Sequence, residues 1–248
     1  MDEANGFETD EAATHEVLDD VRGLSEGERR SYVETALARA RDAAATLTDG
    51  ETLYKVFEPM LRFVVTPPPP RDPFGGGCHN TSAVLYMLLR EAGLSEDNLA
   101  LCVGEVIGDE TWRPYWQKRN GRMPRFDHSW VEVSGEVLDV AVCVPGPTGG
   151  FAGGPVFGGI DLGSNAVPKI KYGVASDDAL EDDARTVYGM NLRQYQDLQV
   201  RMRHSSMAEL AQIVYGLDGK SLIAKYGDVR RDWRNPTLNP SNRRTHAP

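Results

Sequence analysis

Cysteine is scarce. Three residues in 248, Cys78, Cys102 and Cys143, are too few and too scattered to staple a disulfide framework. The fold must therefore rest on a packed core, and a reducing, cytoplasmic setting is the expectation. Long apolar runs are missing too: none approaches the roughly 18 residues that span a bilayer. The acidic N-terminal stretch lacks the basic-then-apolar order of a secretion signal. Basic residues are in deficit, and a formal net charge of −10 argues against a nucleic-acid partner. The stretch from Pro145 to Gly159 holds seven glycines in fifteen residues. It has no Gly-Lys-Ser/Thr ending, which excludes a phosphate-binding loop. The close-spaced ligand pairs of a zinc site are also lacking among Cys78, Cys102, Cys143 and His128. No metal and no cofactor is expected.

What is present is ordinary globular material, 40% hydrophobic and 26% charged, in a length that suits one large domain. Residues 1–14 are acidic and poor in large apolar groups, an expected disordered segment; eight of the first twenty residues are Asp or Glu. A single domain is expected over 15–232, with a basic, Pro- and Asn-containing tail over 233–248. Helical patterning runs from His15 to about Leu47, with a break near Gly23 to Gly27, where Ser25 and Glu28 have the spacing of a capping box. A second helix is expected from Glu51 to Val65, kinked or divided by Pro59. It ends at Pro67-Pro68-Pro69-Pro70, which reads as an extended strut. Leu99 to Ile107 reads as a strand, and Gly108 to Arg125, with Trp112, Tyr115 and Trp116, as an irregular insertion. The Gly-rich stretch suits either a flap or a surface loop. Two helices are expected at the C-terminal end, from Asp177 to Ser205 and from Ser206 to Tyr226.

Chemistry concentrates at Gly75-Gly76-Gly77-Cys78, which leads directly into an apolar helical run. Val84, Leu85, Leu88 and Leu89 fall on one helical face, and Gly93 stands where that helix stops. Cys78 is thereby placed at a helix N-terminus, where orphan N–H groups and the positive end of the dipole favour thiolate, the nucleophilic form. The second locus is Phe126 to Ala141, two alternating runs around Ser134-Gly135, the pattern of a tight hairpin. With that turn, Val133 pairs with Glu136 and Trp130 with Asp139. His128 and Asp139 then lie on one face as diagonal neighbours. A nucleophile, a base and an orienting acid follow from position alone: Cys78, His128 and Asp139. His79 is a poorer base, being adjacent to Cys78 on one helix. Glu132 is a poorer orienter, being on His128's own strand. Cys102 and Cys143 read as strand core, and Trp130 as packing beside the imidazole.

The order Cys-His-Asp, at separations of 50 and 11 residues, resembles the transglutaminase-like superfamily of papain-like cysteine enzymes. Gly-Cys before an apolar helix, His128-Ser129-Trp130-Val131-Glu132-Val133 and Val137-Leu138-Asp139-Val140 resemble its three catalytic elements, over roughly 74–142. Bacterial members that include lasso-peptide leader peptidases share the His-x-Trp-Val-Glu strand. The resemblance implies an α+β fold, with a nucleophile helix packed on a small antiparallel sheet and extra N- and C-terminal helices. It also implies a cysteine-dependent acyl-transfer enzyme working through a thioester, with amide hydrolysis of a peptide or peptide-like substrate as the leading reaction. Transfer of the acyl group to an amine on the same triad is one alternative, and a non-catalytic protein-binding module on the same scaffold is another. Two departures concern the oxyanion site: no Gln and no Trp precedes Cys78, where papain-type peptidases and cross-linking transglutaminases respectively carry one. The backbone N–H of Cys78 is left as one donor, with Tyr54 or Asn80 as candidates for a second.

Overall fold

A computed structural model describes residues 25–65, 77–107, 128–142, 144–145, 151–163, 171–227 and 229. The expected disordered segment, the tetraproline strut, the aromatic insertion, Cys143 and the tail lie outside the described residues. The described part is mixed α+β. It opens with α1 (Glu26–Ala44), α2 (Gly50–Val65) and α3 (Gly77–Glu91). The strands follow: β1 (Leu99–Ile107), β2 (His128–Val133), β3 (Glu136–Leu138), β4 (Val144–Pro145), β5 (Phe151–Gly153), β6 (Val156–Phe157), β7 (Ile160–Asp161) and β8 (Lys171–Val174). The chain then forms α4 (Asp177–Tyr188), α5 (Leu192–Tyr215) and α6 (Gly219–Tyr226). No described helix is long and apolar enough to cross a membrane.

Local chemistry explains most element ends. The capping box at the head of α1 is formed: the Ser25 hydroxyl accepts from the Glu28 amide at 3.3 Å, and the Ser25 amide donates to the Glu28 carboxylate at 2.8 Å. Helix α2 is undivided despite Pro59. Val56, Phe57, Met60 and Leu61 straddle the proline and are buried in the core, and their packing offsets the roughly 3 kcal/mol that an interior proline costs. The C-terminal helices break at Gly189 and Gly216, not at Ser205. Both glycines are left-handed C-caps, at φ 66° and 68°, a conformation that costs residues with a Cβ. Asn191 and Asp218 then cap the next helix.

The main sheet is antiparallel throughout, in the order β3-β2-β1-β8. The β2–β3 hairpin has the expected register, with Val133 opposite Glu136 and Val131 opposite Leu138. Its turn residues Ser134 and Gly135 both have positive φ, 53° and 86°, as a tight hairpin turn requires. One face of the sheet carries Leu99, Leu101, Val131, Val133 and Leu138 into the large core with α1, α2, α3, α5 and α6. The opposite face carries Cys102, Trp130, Val137 and Tyr172, which pack against Val142 and Val156. All six residues of β2 are buried, because both faces are covered. Val156 of the Gly-rich stretch supplies part of that cover, so this portion is not a surface loop; residues 146–150 of the stretch lie outside the described residues. Val156 and Phe157 are buried, Phe157 completely, against Phe57 with ring centroids 5.1 Å apart.

Candidate active site

The site forms where α3 begins and β2 begins. One helical turn beyond Cys78, the Ser82 hydroxyl donates to the carbonyl of Ser129 at 2.8 Å, a buried bond that pins the first turn of α3 to the start of β2. Cys78 is the second residue of α3 and half-buried. His128, the first residue of β2, is buried. The Cys78 sulfur lies near enough to the imidazole to act on its charge.

The Asp139 carboxylate lies on the other side of the ring. Its Oδ2 is 2.6 Å from Nε2 of His128, with both groups buried. This contact leaves Nδ1 as the ring nitrogen available to the sulfur. The diagonal relation of His128 and Asp139 follows from the hairpin register. Its short distance also needs the backbone of Asp139 held beyond the end of β3. Val156 provides this: the Asp139 amide donates to the Val156 carbonyl and the Val156 amide to the Asp139 carbonyl, each at 2.8 Å. The Gly-rich stretch therefore clamps Asp139. The Ala141 amide donates to Oδ1 of Asp139 at 2.8 Å and fixes the rotation of the carboxylate.

Electrostatics follow from this arrangement. Burial by itself drives the proton off His128. The Asp139 carboxylate, together with the Cys78 sulfur, outweighs that effect and holds the imidazole pKa well above its usual range. Trp130 lies almost parallel to the imidazole, with a centroid distance of 6.2 Å and an interplanar angle of 15°. It packs beside the imidazole, as its spacing on β2 implies.

Glu132 does not orient His128. Its Oε1 faces the Trp130 indole N–H at 3.4 Å, and burial pushes its pKa up to about 7. Cys102 is fully buried strand core, and burial raises its thiol pKa well above the ordinary value. The Tyr54 hydroxyl is engaged by Arg41 of α1 at 3.1 Å, whereas Asn80 and His79 are buried in the first turn of α3. Among the described residues no group of three His, Cys, Asp or Glu side chains is placed to hold a metal ion.

One site residue escapes sequence reasoning. The Tyr172 hydroxyl donates to Oδ2 of Asp139 at 2.8 Å, and its ring packs on Trp130 at 4.9 Å between centroids. Tyr172 is on β8, at one edge of the sheet, whereas Asp139 follows β3, at the other. In a flat sheet three strand spacings of about 4.8 Å would part those edges by about 14 Å, beyond the joint reach of the two side chains. The sheet curls enough to bring its edges into contact above β1 and β2. The only local signal is the alternation of Tyr172 and Val174 before the helix cap Ser176, which marks a strand and says nothing of its partner. Comparison of the chain with protein-family models, curated proteins and solved structures gives no match.

Proposed function

We propose that this protein is a cysteine-dependent acyl-transfer enzyme of transglutaminase-like, papain-like architecture, in which Cys78 is the nucleophile, His128 the base and Asp139 the orienting acid. One observation carries the reading: a single buried imidazole stands beside the Cys78 sulfur at a helix start and is bonded through Nε2 to a carboxylate at 2.6 Å. A structural cysteine or a satisfied core histidine explains either half of that arrangement, but not both halves together.

In the proposed reaction His128 takes the Cys78 proton at Nδ1, and the thiolate attacks the carbonyl carbon of an amide. The oxyanion formed faces the first N–H groups of α3, including that of Cys78, which have no intrahelical acceptor. Each such donor, where measured, is worth about 3 kcal/mol. The imidazolium then gives its proton to the departing amine, and the C–N bond breaks to leave a thioester. Water, deprotonated by His128, attacks the thioester and restores the thiol, releasing a carboxylic acid. An amine in place of water gives acyl transfer through the same intermediate. Asp139 holds the ring in one tautomer and stabilises the imidazolium at both stages.

The test is intact-mass spectrometry after exposure to activated acyl esters and peptide amides, with and without an amine acceptor. A single acyl adduct on Cys78, lost in Cys78→Ala, is the expected result. Cys78 that alkylates no faster than a free thiol of pKa about 8.5, with no adduct formed, refutes the proposal and leaves the binding-module reading.

A further inference from the structure

Oδ2 of Asp139 accepts two buried hydrogen bonds, from His128 at 2.6 Å and from the Tyr172 hydroxyl at 2.8 Å. Two donors on one oxygen compete: charge drawn toward the hydroxyl is not available to the imidazole. We infer that Tyr172 is a positioning residue that tempers the pull of Asp139 on His128, so that the imidazolium holds its proton firmly enough to form but loosely enough to give it up.

The geometry supports a tuning role over simple packing. The ring of Tyr172 already has its packing partner in Trp130, with centroids 4.9 Å apart, and that contact needs no hydroxyl. Asp139 is already oriented without Tyr172. Its backbone is clamped by Val156 and its Oδ1 by the Ala141 amide. The hydroxyl therefore adds little to placement and acts chiefly on charge. Its bond to Oδ2 is strongest when the carboxylate is least compensated, that is, when His128 is neutral. Tyr172 thus stabilises the neutral-imidazole state more than the imidazolium state, and its removal raises the His128 pKa. Among the described residues, the titratable groups around the imidazole are Cys78 from α3, Asp139 after β3 and Tyr172 from β8; Glu132 and Cys102 lie on the same sheet face beyond Trp130. Among the described residues only Tyr172 shares the oxygen that His128 uses.

The catalytic consequence rests on the acyl-transfer reading, whereas the titration does not. The experiment is therefore an NMR titration of the His128 ring protons in the full chain, with the Nε2–H resonance followed alongside. Tyr172→Phe keeps the ring and deletes the donor. The expected result is an unchanged circular dichroism spectrum, a His128 midpoint raised by about one pH unit and an Nε2–H proton moved downfield as its bond to Oδ2 tightens. Replacement of Tyr172 by 3-fluorotyrosine, a stronger donor, is expected to move both signals the other way. This variant also serves if Tyr172→Phe does not fold. In an active enzyme the Tyr172→Phe change lowers kcat about tenfold and shifts the alkaline limb of the rate profile upward with the midpoint. A midpoint and Nε2–H resonance that stay in place in either folded variant overturn the inference, even if Cys78 turns over substrate. Both signals moving while no acyl adduct forms leaves the inference standing and removes the acyl-transfer reading.

Discussion

Glu132→Gln separates the electrostatic account of this fold from its proposed chemistry. Glu132 is 2% exposed, with Oε1 at 3.4 Å from the Trp130 indole nitrogen and Oε2 buried without a hydrogen bond among the described residues. Burial, reinforced by Glu136, pushes its pKa up to about 7. The native state therefore favours the protonated carboxyl, while the unfolded chain ionises near 4.5. The sign follows by linkage. Below pH 4.5 both states are protonated and Glu132 costs nothing. Between 4.5 and about 7 only the unfolded state loses its proton, so native stability falls. Above that window the loss is constant. At ~1.4 kcal/mol per pH unit, the window of about 2.5 units gives a loss of about 3 kcal/mol. Glutamine keeps the shape and the acceptor for Trp130 but does not ionise. Its stability relative to the parent should therefore climb by about 3 kcal/mol between pH 4.5 and 8, which for a chain of this size is about 6–12 °C in Tm. Urea denaturation at a series of pH values measures the difference directly. Parallel curves for parent and variant across that range would show that the carboxyl is already solvated or paired, and would refute the reasoning.

Other expectations follow from the same contacts. Asp139→Asn removes the charge that holds the proton on His128, and kcat for acyl transfer should fall by about 10⁴ if the tautomer is lost as it is in serine-based triads. Iodoacetamide alkylation of Cys78 near pH 6 should slow in that variant, because the imidazole is no longer held ready to draw the thiol proton; an unchanged rate would count against the proposed role of His128. Ser82→Ala deletes the bond that pins α3 to β2 and should cost about 1 kcal/mol in chemical denaturation. Its effect on Cys78 alkylation should exceed that of Ser25→Ala, a cap change of similar cost at the far helix α1. Gly216→Ala meets no atom within 4 Å but must hold φ near +68°. A cost of about 1–2 kcal/mol is expected from backbone strain alone, readable as a shift in denaturation midpoint.

The amino-acid order by itself determined the parts of this protein that depend on near neighbours. Ser25 with Glu28 sets a helix start, Ser134-Gly135 sets a hairpin, and a hairpin with that turn has one register. The register puts His128 and Asp139 on one face, and the residues following Cys78 can only be a buried helix. These features arise from period, turn chemistry and capping, which act over a few residues. Where such rules met competition, they misled: Pro59 does not divide α2, because the core on both sides of it is worth more than the lost hydrogen bond. The helix break near Ser205 was misplaced, because Gly189 and Gly216 terminate the helices on either side. The Gly-rich stretch reads as a flap or a surface loop, yet Val156 in it packs on the sheet and Phe157 in the core. Tertiary structure alone decided what holds Cys78, His128 and Asp139 together. The Ser82–Ser129 bond, the Val156 clamp on Asp139 and the hydroxyl of Tyr172 join residues 17 to 47 positions apart. No local pattern encodes contacts at that range. They exist because the sheet curls and both its faces are covered, which leaves buried polar groups no partner except one another.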